Sequence, residues 1–168
     1  MRTGTQVIAH QTKKDLPEQV RSDVIEILSD RLADAIDLQL QGKQAHWNVK
    51  GPGFIALHEL FDKVVEQVEA CVDLLAERIV QLGGIAQGTA RVVADRTELD
   101  EYPSTIAAGT DHVRALATAL SAFGARVRRA IDRAQELGDA DTADIFTEVS
   151  RGTDKLLWFV EAHGQANS

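Results

Sequence analysis

Residues 54–82 read FIALHELFDKVVEQVEACVDLLAERIVQL, and two separate patterns run through them. The first pattern is apolar and advances in steps of three and four residues, which is typical of a helix packed in a bundle. Its members are Leu57, Phe61, Val64, Val68, Val72, Leu75, Ile79 and Leu82. The pattern predicts one long helix that ends at Gly83-Gly84.

Three further segments carry the same helical periodicity. Proline suits the first turn of a helix, so the first of these helices is expected to open at Pro17. The predicted ranges are about 17–49, 105–137 and 141–163. Four long helices, with helix-forming residues nearly throughout, predict an all-α fold.

The connection between the second and third helices, residues 85–104, is much longer than the other two. A short helix fits within it, before Tyr102-Pro103. A ferritin-like four-helix bundle has one long crossover, so this is the predicted architecture. The predicted divisions are a flexible N-terminal tail over 1–16, the bundle over 17–163 and a short C-terminal tail over 164–168.

The composition is that of a globular protein with an acidic surface. Of the 168 residues, 44% are hydrophobic and 26% are charged, and the net charge is −8. An acidic body is a poor surface for polyanions but permits cationic cargo, metal ions included. The lone Cys71 cannot form an internal disulfide, and neither a signal peptide nor a membrane-spanning run is visible. A cytoplasmic location without a membrane partner is expected.

The second pattern in residues 54–82 is polar and follows one side of the predicted helix. Its members are His58, Asp62, Glu66, Glu69, Asp73 and Glu77. At about 100° per residue, these side chains fall within an arc of about 100°, centred roughly 130° from the apolar pattern. The polar pattern is therefore expected to face solvent or another molecule. Imidazole and carboxylate groups suit iron, zinc or manganese.

The spacing of the polar pattern predicts a metal site that two chains share. His58 and Glu77 lie about 28 Å apart along one helix, so a single helix cannot bring both to one ion. However, the pairs 58/77 and 62/73 share one midpoint. Two copies packed antiparallel about a two-fold axis there would bring the 58–62 segment of one chain beside the 73–77 segment of the other. Two identical sites per dimer would follow.

His46 lies shortly before the predicted turn. In a helical hairpin it would lie at the same level along the helix axes as His58, so it can join this site. The predicted ligands are His46, His58 and Asp62 from one chain with Asp73 and Glu77 from the other. The alternative is a solvated acidic helix face with structural histidines. A conventional intrachain di-iron site uses Glu-x-x-His on two helices, and that motif is absent from the sequence, which favours the shared site.

The segments 43–51, KQAHWNVKG, and 54–62, FIALHELFD, resemble the signature of the Dps family, the DNA-binding proteins from starved cells. All five predicted ligands match the positions of that family's ferroxidase ligands. Residues 139–144 and 154–159 also resemble the family's last helix. The resemblance covers roughly residues 15–163 and places the chain in the ferritin-like superfamily.

The resemblance implies a mini-ferritin that oxidises Fe(II), usually with hydrogen peroxide in preference to dioxygen. It further implies a homo-oligomer of twelve subunits built from two-fold dimers, a ferric mineral stored inside the hollow shell, and protection against oxidative stress. The catalytic and metal-binding residues would be the same set, His46, His58, Asp62, Asp73 and Glu77. Zinc could substitute for iron, because ligand type alone does not separate the two.

The resemblance also suggests accessory residues, each with a simpler alternative. Trp47 and Trp158 would lie near the site and absorb stray oxidising equivalents, whereas core packing is the usual role of a large aromatic residue. The acids that match the family's three-fold iron-entry pore are Asp139, Asp144 and Glu148. For Asp139, the alternative is a role at the helix N-terminus, where acids are favoured.

DNA condensation is the competing function. The best-known family members bind DNA through a lysine-rich mobile tail, whereas residues 1–16 here carry only Arg2, Lys13 and Lys14 as basic side chains. DNA affinity depends on phosphate neutralisation, so weak or absent binding is expected at physiological salt. A nucleoid-associated protein with little redox role, and a structural shell without redox function, are the alternatives.

Overall fold

The computed structural model describes residues 7–166, which form five helices and no strand. The helices are α1 (Glu18–Asn48), α2 (Phe54–Gln81), α3 (Ala90–Arg96), α4 (Gly109–Glu136) and α5 (Ala140–Gln165). α1 packs along α2, and α4 packs along α5; contacts of α1 with α4 and of α2 with α5 close the bundle. The predicted all-α ferritin-like bundle with one long crossover is confirmed.

The core lies where the apolar faces of the four long helices meet. The predicted apolar pattern of α2 is buried, except that Val72 is only partly so. Phe61, Phe123 and Phe146, from three different helices, are fully buried. Burying an aromatic side chain of this size stabilises the fold by roughly 1.5–3 kcal/mol. The polar pattern of α2 is left outside this core, as predicted.

α4 begins at Gly109, four residues later than about Thr105, where the sequence predicts it. The N–H of Lys50 donates to the carbonyl of Ala107 at 2.9 Å, and Lys50 forms an isolated bridge with Ala108. This contact ties the residues before α4 to the α1/α2 turn. It holds Ala108 in an extended conformation directly before the helix, although the side chains of this segment would also suit a helix.

The predicted short helix of the crossover is present as α3 and is fixed to α1 by charged groups. Arg96 contacts Glu26 and Asp30, each at 2.7 Å. The buried Asp34 carboxylate accepts the N–H of Glu98 at 2.7 Å and pairs with Arg31 at 2.9 Å. Burial raises the pKa of Asp34, while these partners oppose the shift. The long connection is therefore ordered along α1.

Residues 7–16, the described part of the predicted N-terminal tail, lie against the bundle. The N–H groups of Ala9 and His10 both donate to the carbonyl of Gly83, at 2.9 and 3.0 Å. Gly83 has a φ of 92°, and a Cβ there would lie 2.5 Å from the His10 carbonyl oxygen, so this docking requires glycine. Residues 1–6 of the predicted tail lie outside the described residues.

At the other terminus, α5 continues to Gln165, beyond its predicted end near His163. Residues 167–168 of the predicted C-terminal tail lie outside the described part of the chain. No helix in residues 7–166 is long and apolar enough to cross a membrane.

Candidate metal centre

His46 and His58 are neighbours at the end of the bundle where α1 leads into α2. His46 lies in the last turn of α1, and His58 lies about one turn into α2. Gly53, with a φ of 79°, precedes the first residue of α2 and reverses the chain between them. The two imidazole rings stack, with centroids 3.7 Å apart and an interplanar angle of 22°. The structure thus brings these two predicted ligands together.

Each histidine hydrogen-bonds to the backbone of the other. Nδ1 of His46 lies 2.7 Å from the carbonyl oxygen of His58, and Nδ1 of His58 lies 2.8 Å from that of His46. A carbonyl can only accept, so each Nδ1 donates, and the neutral tautomer with its proton on Nδ1 carries its lone pair on Nε2. Neither Nε2 has a hydrogen-bond partner among residues 7–166. Metal-binding histidines usually donate their other N–H in this way.

Asp62 follows His58 by one helical turn and supplies a carboxylate beside the two rings. Its Oδ1 lies 4.0 Å from Nδ1 of His46 and accepts a hydrogen bond from the Lys43 ammonium. That hydrogen bond holds the pKa of Asp62 below its usual range, against an opposing effect of desolvation. Asp62 is therefore a charged, half-exposed donor at neutral pH. The two rings and this carboxylate are called the half-site below.

Asp73 and Glu77, the other two predicted ligands, are exposed farther along α2. Because α2 is one unbroken helix over Phe54–Gln81, the helical rise puts Glu77 about 28 Å from His58. In residues 7–166 of one chain, no group of three or more His, Cys, Asp or Glu side chains is placed to hold a metal ion. His58 and Glu77 lie at equal distances from the centre of α2, and so do Asp62 and Asp73. Two antiparallel α2 helices that cross at this point would therefore overlap over their full length.

The core-packing alternative for the two tryptophans is wrong. Trp47 is 67% exposed and Trp158 is 60% exposed. Trp47 lies two residues from the buried Ala45 and Val49, and Trp158 lies two residues from the buried Leu156 and Val160. A step of two residues turns a side chain by about 200° around a helix, away from the core. Their proximity to an assembled metal site stays a prediction.

Asp139, one of the three predicted pore acids, caps α5. Its carboxylate accepts the N–H of Thr142 at 3.1 Å, the Thr142 hydroxyl at 2.6 Å and two hydrogen bonds from Arg78, at 2.8 and 3.1 Å. Asp139 is only 2% exposed, so the capping alternative is the one that the structure supports. Asp144 and Glu148 are exposed on α5, and their role in a pore stays a prediction.

Sequence reasoning missed two features near the half-site. Lys43 pairs with Asp62, and its position three residues before His46 was the available signal, because residues so spaced share a helix face. His112 is 1% exposed, its ring lies 6.4 Å from that of Phe61, and its Nδ1 lies 2.8 Å from the Tyr102 hydroxyl. The contact between Tyr102 and His112 links the crossover to α4 and has no local sequence signature.

A family model of the ferritin-like domain matches residues 25–166. The "DNA protection during starvation protein" of Agrobacterium fabrum is 50% identical over 159 residues, which is 95% of this chain and 98% of that protein. The solved structure of DpsA14 from Streptomyces coelicolor is similar with a TM-score of 0.89 at 34% identity, over 95% of this chain and 94% of the other. The solved structure of Dps from Mycobacterium smegmatis is similar with a TM-score of 0.87 at 33% identity, over 91% of this chain and 93% of the other.

Fold and family match together define a ferritin-like protein. Within that class, the chain belongs to the Dps family.

Proposed function

We propose that this protein is a Dps-type ferroxidase and iron-storage protein whose metal site forms between two chains. The observation that carries the proposal is the half-site, where two stacked imidazoles, whose Nε2 atoms have no hydrogen-bond partner among the described residues, lie beside a charged carboxylate. Imidazole and carboxylate together are a suitable donor set for iron. Asp73 and Glu77 of the second chain would complete the ligand set about the two-fold axis.

The reaction follows from these donors. Carboxylates are hard donors that favour Fe(III) over Fe(II), so they make loss of an electron easier. Two ferrous ions give up one electron each to hydrogen peroxide, whose O–O bond breaks. With two water molecules, the products are two FeOOH units and four protons. Iron is the substrate, and the ferric product is the stored mineral. The reaction consumes ferrous iron and peroxide together, which would protect the cell from oxidative damage.

An assembly is part of the proposal, because one chain holds only half of the site. Exposed large apolar residues support burial against other copies. They are Leu40, Trp47, Phe54, Ile55, Val80, Ile85 and Trp158. The proposed assembly is a dodecameric shell of two-fold dimers in the cytoplasm, with the tryptophans near the site and Asp144 and Glu148 near an entry pore.

The test compares two double variants of α2. Asp73→Ala/Glu77→Ala removes the proposed partner ligands, and Glu66→Ala/Glu69→Ala removes two exposed acids of the same helix that are not proposed as ligands. Apoprotein is mixed with Fe(II) without oxygen, hydrogen peroxide is added, and ferric absorbance is followed. We expect rapid oxidation in the wild type and in the control, and its loss in the first variant although that variant still assembles. Equal rates in all three would refute the shared site.

We also propose that DNA binding is weak, and that condensation of DNA is not the main function. The docking of residues 7–16 on Gly83 supports this, because Lys13 and Lys14 belong to that docked segment. A mobility-shift assay at about 150 mM salt tests it, since phosphate contacts weaken steeply with salt. Tight plasmid retention under those conditions would instead favour the nucleoid-associated function.

A further inference from the structure

We infer that Lys43 is a resident counter-ion of the half-site, which an incoming divalent cation displaces from Asp62. Lys43 would then be a positioning residue that sets how tightly the site binds metal. This inference rests on the proposed function, because it takes the half-site to be a metal site. Lys43 is not one of the five proposed ligands, so its role is additional to theirs.

The geometry places the ammonium in competition with a metal ion. Lys43 precedes His46 by three residues on α1, so both side chains project from one face of that helix. The ammonium reaches across to α2 and binds Oδ1 of Asp62, the oxygen that lies 4.0 Å from Nδ1 of His46. One oxygen of this proposed ligand carboxylate is therefore already paired with a cation before any metal arrives.

The exposure of this pair shows that it can be displaced. The side chain of Lys43 is 34% exposed, and that of Asp62 is 40% exposed. Ion pairs so open to water contribute little, because solvent screens them and ordering two flexible side chains costs entropy. A divalent cation that gains an imidazole nitrogen and the partner chain's ligands together with the carboxylate therefore outcompetes the ammonium, but the competition lowers its apparent affinity.

The chain offers a matched control for the charge of Lys43. Lys63 follows Asp62 directly on α2, is exposed, and makes no ion pair within the described part of the chain. Removing either lysine changes the net charge equally and at a similar distance along the sequence from the half-site. Only Lys43 contacts the carboxylate.

The experiment is a calorimetric titration of the assembled apoprotein with Zn²⁺, which binds such donors without redox chemistry. Buffer, pH and ionic strength are fixed, and assembly is checked by sedimentation. We expect Lys43→Gln to bind Zn²⁺ about three- to tenfold more tightly, because it loses both the competing pair and a nearby like charge. Lys43→Arg should bind more weakly than the wild type, since a guanidinium can hold Asp62 through two hydrogen bonds. Lys63→Gln should match the wild type.

A His58→Ala variant separates the two levels of inference. If this variant loses Zn²⁺ affinity while Lys43→Gln binds no more tightly than the wild type, the role of Lys43 is refuted and the metal site stands. The role of Lys43 is also refuted if Lys63→Gln gains as much affinity as Lys43→Gln, because the effect is then one of net charge. If His58→Ala binds Zn²⁺ as tightly as the wild type, the proposed metal site itself fails.

Discussion

Two polar clusters occupy opposite ends of α2 and are built in opposite ways. At the end near α5, Arg78 and Asp139 are 3% and 2% exposed, and every nitrogen of the guanidinium has a partner within the chain. At the end where α1 leads into α2, His46, His58 and Asp62 are partly exposed, and the Nε2 atoms of the histidines have no partner in residues 7–166. The first cluster is complete in one chain and stabilises the fold, whereas the second is open to a ligand.

The largest effect that we expect comes from breaking the complete cluster. Arg78→Met removes the cation that pairs with the buried Asp139 carboxylate at 2.8 Å. No other basic side chain in residues 7–166 forms an ion pair with Asp139. A buried charge left without its partner costs about 3–5 kcal/mol. Urea unfolding, followed by circular dichroism at matched chain concentration, should show a loss of that size in the free energy of unfolding. Metal affinity of the remaining folded protein should not change.

A double variant tests the cause of that loss. Arg78→Met/Asp139→Asn removes the orphaned charge but keeps a side chain that caps a helix well. We expect it to recover most of the stability that Arg78→Met loses. A double variant as unstable as the single one would mean that packing of the arginine stem, rather than the unpaired charge, accounts for the effect.

A substitution in the open cluster should have the opposite outcome, with a large loss of metal affinity and little loss of stability. His58→Ala removes one proposed ligand and the ring that stacks on His46. Removing even the outer partners of a metal ligand costs about 10–100-fold in affinity, so we expect Zn²⁺ affinity to fall by about 100-fold or more. The free energy of unfolding should change by no more than about 1 kcal/mol, because the residue is partly exposed. A large stability loss with unchanged Zn²⁺ affinity would show that this cluster is structural too.

The same contrast explains which features were predictable from the sequence. Periodicity predicted the four long helices, and the hairpin argument predicted that His46 and His58 meet, because both depend on residues close along the chain. The start of α4 was misplaced since a tertiary hydrogen bond from Lys50 to Ala107 decides it. Lys43 was within reach of the same hairpin argument, because it shares a helix face with His46 and its partner Asp62 lies one turn after His58, but it was missed. Asp73 and Glu77 stay predictions, because their proposed partners lie on another chain.

A smaller effect is expected where the N-terminal segment docks on the bundle. Gly83→Ala forces a side chain into a left-handed conformation and against the His10 carbonyl, which should cost about 1–2 kcal/mol. Limited proteolysis should then cut within residues 7–16 faster than in the wild type. Gly138→Ala is the control, because Gly138 has a φ of 82° but a Cβ there meets no atom within 4 Å. Faster cleavage in both variants would show that the docking contact is not responsible.

The smallest effect concerns His112, which differs from the half-site histidines in being buried. Burial lowers its pKa from the ordinary value of 6.5, against weaker opposing effects of the backbone of Ile106, the charge of Asp111 and the backbone of Asn48. The unfolded chain therefore binds a proton more readily than the folded chain does. As a result, the free energy of unfolding decreases as the pH falls below about 6.5.

Thermal unfolding from pH 7.5 to 5 should show this dependence of stability on pH in the wild type. The slope should be shallower in His112→Gln, whose amide can still pair with the Tyr102 hydroxyl. His163→Gln, at an exposed position on α5, should leave the slope unchanged. Identical slopes in all three proteins would mean that His112 is as free to take up a proton in the folded chain as in the unfolded one.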